Sequence, residues 1–76
     1  MNKKKYLIEY IIQDVIAFII EDKNIELEDA MNQFYNSTVF EKLQDIETGL
    51  YLESSAYVYD MLKNEIENGR LIQKEL

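Results

Sequence analysis

Asp22-x-Asn24-x-Glu26 is the first stretch of this chain whose residue types and spacing suggest chemistry, since alternate oxygen-bearing side chains can wrap a hard cation. The rest of such a loop does not follow. The sixth position, where the sharp turn needs glycine, is Leu27, and the twelfth, where a bidentate carboxylate is needed, is Gln33. Hydrolytic or redox chemistry needs a nucleophile beside a base, a metal cluster or a cofactor motif. The chain has no His, no Cys and no glycine-rich phosphate loop, and Ser37, Ser54 and Ser55 all have explanations as caps. Carboxylates alone can catalyse, as in glycosidases, but they need a cleft, for which a helical domain of 76 residues has little room. The expectation is a protein that is not an enzyme and that carries no cofactor and no metal.

Charge narrows the partners. Fifteen acidic residues against eight basic ones give a net charge of −7, and nine of the carboxylates lie between Glu21 and Glu53 against Lys23 and Lys42 alone. Such a field repels phosphate backbones and anionic membranes and favours a basic partner, or serves only as a solvated face. A helix-turn-helix around Asn36-Ser37 would offer Lys42 against Glu41 and Asp45, which argues against nucleic acid. Six Tyr and three Phe favour a contact surface, because tyrosine combines apolar area with a polar tip. Tyr6, Tyr10, Tyr51, Tyr57 and Tyr59 are the candidate interaction residues; the plainer reading is that they complete a small core with their hydroxyls at its edge.

The elements that must position these residues follow from apolar spacing. From Tyr6 to Ile20 only Glu9, Gln13 and Asp14 are strongly polar, and neither Gly nor Pro interrupts. At 100° per residue, Leu7, Phe18, Ile11, Val15, Ile8, Ile19, Ile12 and Ile16 form one arc of roughly half the circumference, so a central helix is expected from about Lys4 to Asp22. Leu27, Ala30, Met31, Phe34 and Tyr35 predict a second helix, with Glu28 and Asp29 facing its positive end. Thr38-x-x-Glu41 reads as a capping box opening a short third helix with Val39, Phe40 and Leu43 buried. Gly49 predicts a turn followed by a short extended piece in which Leu50 and Leu52, or else Tyr51, point inward. Ser54 or Ser55 then caps a fourth helix that buries Val58, Met61, Leu62 and Ile66 and stops before Gly69, and Leu71 and Ile72 are apolar enough to serve a contact with another copy.

These elements amount to one all-α domain, residues 1–76: a compact four-helix unit with a long central N-terminal helix and three shorter ones. At this size burial only narrowly exceeds the conformational entropy lost, so self-association or a protein partner is the help expected. Lys3, Lys4 and Lys5 before an apolar run imitate a signal peptide, but Glu9, Gln13 and Asp14 break the run and no small-x-small cleavage site precedes Glu21-Asp22. The run is also too short and amphipathic for a membrane span, so a cytoplasmic location is expected, with neither membrane nor nucleic acid as partner.

The long isoleucine-rich first helix, the second helix ending in Phe34-Tyr35-Asn36-Ser37, and the later series Leu43, Thr48-Gly49-Leu50-Tyr51, Ser54 and Tyr57-Val58-Tyr59-Asp60 carry a resemblance across most of the chain. The layout resembles small all-helical bacterial proteins of unknown function, some of them suspected antitoxins or partners encoded beside toxin-like genes. The resemblance implies a small acidic interaction module that masks a basic protein in the manner of an antitoxin. The competing expectation is a homo-oligomeric structural or regulatory protein, a homodimer with tyrosines at its self-interface and no macromolecular partner.

Overall fold

The computed structural model describes residues 3–69, and these fold as four α-helices with no strand among them. The helices are α1 (Lys3–Lys23), α2 (Leu27–Tyr35), α3 (Thr38–Gln44) and α4 (Ser55–Glu67), with two 3₁₀ turns, Ile46–Thr48 and Leu50–Leu52, between α3 and α4. The long central first helix and three shorter ones are as the apolar spacing predicts. Leu71 and Ile72 lie outside the described residues. No helix among the described residues is long and apolar enough to cross a membrane.

The core is built on α1. Val15 and Ile19 are fully buried, with Ile8, Ile11 and Ile16 close behind, and Phe34, Val39, Leu43, Val58 and Leu62 close over them from the other three helices. Ile12, Phe18 and Ile20 pack at the edge, while Leu7, at the end of the arc, is 40 % exposed. The arc has the width of a spine because α2, α4 and the second 3₁₀ turn all pack on it, with α3 set against both α2 and α4.

Helix ends show how the chain turns. α1 stops where Asn24 takes a left-handed conformation (φ 56°) with its amide still donating to the Ile20 carbonyl. A short polar side chain tolerates that conformation best after glycine, so Asp22-x-Asn24-x-Glu26 is a helix stop. Among the described residues no three carboxylates gather in a way that could hold a metal ion.

The start of α3 departs from the capping box expected at Thr38. Ser37 is the cap: its extended backbone precedes the helix, and its buried hydroxyl accepts from the Phe40 amide at 3.1 Å while donating to the Phe34 carbonyl at 2.6 Å. Thr38 is already inside the helix, and the carboxylate at this end is Glu65 of α4, not Glu41. Its Oε2 accepts from the Thr38 amide at 2.8 Å and its Oε1 from the Val39 amide at 3.1 Å. A carboxylate on the positive end of a helix satisfies amides that have no partner within it.

The extended piece expected after Gly49 is absent; residues 50–52 form the second 3₁₀ turn instead. Gly49 does take a positive φ of 70°, as a turn there requires. The Thr48 hydroxyl draws the chain inward, donating toward the Lys42 and Asp45 carbonyls (2.7 and 2.9 Å) and accepting from the Leu50 amide at 3.1 Å. That winding buries Leu50, leaves Tyr51 half-buried and turns Leu52 out to 70 % exposure. Ser54, not Ser55, then caps α4 by accepting from the Tyr57 amide at 3.1 Å.

Candidate functional site

Two grooves run along α1, one on each flank. Toward α4, Phe18, Glu21 and Asp22 of α1 face Ala56, Tyr59, Asp60 and Lys63 across a groove of about 290 Å³. A second hollow of about 220 Å³ continues it past Asp22, Tyr59 and Lys63 to Ile66 and Glu67. Since successive residues of both helices meet in order, α4 runs beside α1 in the same sense.

Tyr59 is the centre of this groove. Its ring lies in the core at 7 % exposure because it shares a face with Val58 and Leu62. The Phe18 ring is tilted against it at 5.4 Å between centroids, so the groove has an aromatic floor. The Tyr59 hydroxyl reaches the rim and donates to Asp22 Oδ2 at 2.7 Å. Burial above all, then the hydrogen bond to Asp22 and that carboxylate's negative charge, push the phenol up to about 12 from its ordinary value of 10.0. The Lys63 ammonium stands 5.3 Å from the centroid of the Tyr59 ring, one turn along α4, so this aromatic face already accommodates a cation. Lys63 is the base lining this groove and Lys23 lines the hollow that continues it, while the rim of Glu21, Asp22 and Asp60 favours positive ligands.

On the other flank, a groove of about 520 Å³ lies between Glu9, Ile12 and Gln13 of α1 and Tyr35, Phe40 and Gln44 of α2 and α3. Two rings line it, Tyr35 and Phe40, 4.9 Å apart, and Phe40 meets the buried Phe34 edge-on behind them at 5.3 Å. Tyr35 is 42 % exposed, so this groove is open, with its rings and Ile12 mixed with the polar Glu9, Gln13 and Gln44.

The predicted interaction tyrosines do not form one surface. Tyr6 and Tyr10 are exposed on the outer face of α1, and Tyr57 is exposed on α4. Tyr51 is half-buried under the second 3₁₀ turn, packed against the core. Tyr59 differs from the other four: its ring is part of the core, with one face and the hydroxyl turned to the groove. Two residues along a helix turn a side chain by roughly 200°, which separates Tyr57 from Tyr59. Phe18, Asp22, Asp60 and Lys63 join the site unforeseen; the Tyr59–Lys63 spacing of four was the available signal, whereas nothing local marks Asp22 as the partner of a residue 37 positions away.

Neither groove brings a nucleophile together with a base, and what the α1–α4 groove can do is hold a cation over an aromatic floor among carboxylates. Comparison of the chain with protein-family models, with curated proteins and with solved structures gives no match in any of the three, so this geometry stands without a relative to name it.

Proposed function

We propose that the chain is a non-catalytic acidic binding module that takes up a basic segment of a protein partner in the α1–α4 groove, masking it in the manner of an antitoxin. One observation carries this reading: an aromatic pair, half-buried Phe18 and buried Tyr59, underlies a rim of three carboxylates, Glu21, Asp22 and Asp60, in the same groove. An arginine or lysine side chain fits such a place twice over, its stem on the rings and its charge toward the carboxylates. The partner's cation joins or displaces Lys63, which marks the position on the Tyr59 ring. The net charge of −7 adds attraction at longer range and speeds encounter with a basic surface.

The test is a titration of the ¹⁵N-labelled protein with a synthetic arginine-containing peptide and with its citrulline counterpart at moderate salt. The expected result is amide shifts confined to the C-terminal half of α1 and to α4 with the arginine peptide alone. Replacing Asp60→Asn and Glu21→Gln together should weaken that binding roughly tenfold. Shifts that scatter over the whole surface, or that the citrulline peptide reproduces, would overturn the reading.

A further inference from the structure

The end charges of α1 are reversed with respect to its own dipole. Its first turn holds Lys3, Lys4 and Lys5 and no acid, and its last turn holds Glu21 and Asp22 beside Lys23. Ammonium groups thus sit at the positive end of a helix and carboxylates at the negative end, each opposing the field there. Opposite the core, the same helix presents Tyr6, Tyr10, Gln13 and Ala17, all exposed, at successive spacings of four, three and four residues. That is the spacing of a seam between two packed helices. Tyr6 and Tyr10 are 58 % and 65 % exposed, which is large apolar area to leave in water on one ridge.

We propose that this ridge docks a second copy of the chain, α1 against α1 in antiparallel, about a twofold axis beside Gln13. In that arrangement Tyr10 of each copy meets Ala17 of the other, a large side chain against a small one, and Tyr6 meets the exposed edge of Ile20, whose other side packs on the core. Gln13 meets its own copy on the axis. Lys3 and Glu21 are eighteen residues apart, roughly five full turns, and so lie on one flank of the ridge. Antiparallel docking sets Lys3 of each chain beside Glu21 of the other, and each lysine-bearing N-terminus beside an acidic C-terminus. A parallel pair would set like charges together, so the charges select both the occupant and its direction. This goes beyond the basic partner above, which is a different molecule; only Glu21, on the border of groove and ridge, belongs to both.

The absence of cysteine makes the test clean. A Gln13→Cys chain places one thiol at the axis and should cross-link into a disulfide dimer under mild oxidation, whereas Gln33→Cys, on an exposed position of α2, should not. A single helix ridge covers less than the ~1,600 Å² of a standard interface, so light scattering should show mass rising from one chain to two on the order of tens to hundreds of micromolar. Ala17→Glu should hold the mass at one chain with an unchanged helical spectrum. Lys3→Glu should weaken association roughly fivefold, and adding Glu21→Lys to it should restore the original affinity. A mass of one chain up to about 1 mM overturns the proposal. A dimer overturns it equally if Gln13→Cys cross-links no faster than Gln33→Cys, or if the double charge exchange is no better than the single one.

Discussion

The two flanks of α1 are closed by different chemistry. Toward α4, buried Val58 and Leu62 are accompanied by two side-chain hydrogen bonds, Tyr59 to Asp22 and Ser55 to Asp14, both at 2.7 Å. Toward α2 and α3, the closure is made by rings, with Phe34 fully buried and Phe40 and Tyr35 stacked outward from it. Apolar contact is non-directional and scales with area, whereas a hydrogen bond adds little net stability but demands a particular partner. Both flanks bury apolar side chains, and on the α4 side the two hydrogen bonds also fix which residues of α4 lie beside which residues of α1. The groove proposed to bind a basic segment sits on the flank whose geometry is specified, as a site needing stated positions for its charges requires.

The comparison breaks most readily on the ring-lined side. Phe34→Ala removes a fully buried ring and should cost about 3–5 kcal/mol in urea denaturation, enough to unfold a domain of this size. Glu65→Ala, which strips the carboxylate from the α3 amides, should cost about 1–2 kcal/mol by the same measurement. The gentlest change is Tyr59→Phe, which should cost about 1 kcal/mol at neutral pH and leave the core filled. Its effect on pH dependence is more telling. The Tyr59 phenol is raised to about 12 in the folded chain from 10.0, so its contribution is intact below pH 10. As pH rises from 10 to 12 the unfolded chain releases this proton first and that stability is lost. Denaturation midpoints for the parent chain should therefore fall more steeply over this window than those of the Tyr59→Phe variant; parallel curves would refute the assignment.

Where a feature depended on near neighbours, it was legible in the amino-acid order. The isoleucine arc of α1 comes from spacings within a turn or two, a cap at Ser54 or Ser55 was expected and Ser54 supplies it, and Gly49 adopts the positive φ that its position called for. The errors occurred where distant residues chose between near-equal local options. Ser37 and Thr38 are adjacent hydroxyls, both able to cap; the choice was made by the Phe34 carbonyl and by Glu65, 27 positions beyond Thr38. Leu50-Tyr51-Leu52 alternates like a short strand, but no second strand exists among the described residues to pair with it, and the Thr48 hydroxyl winds it into a turn instead. Tyr59 was grouped with the surface tyrosines because its hydroxyl reads as polar; its position beside Val58 and three before Leu62 placed the ring inside. Ile66, expected inside, lines the hollow beyond Lys63 at 39 % exposure. Of the candidate site, only Tyr59 was visible; Phe18, Asp22 and Asp60 acquire their meaning only when α4 lies beside α1.

Glu65 also has a consequence for how the chain comes together during synthesis. A seven-residue helix does not hold by itself in water, and the group that secures the start of α3 is encoded near the far end of the described chain. While the first sixty residues emerge, α1 and α2 can already pair as a hairpin, but the segment from Thr38 onward has no anion to fasten its leading amides. Completion of the domain thus waits on α4, whose carboxylate latches α3 and whose apolar face covers the remaining side of the spine.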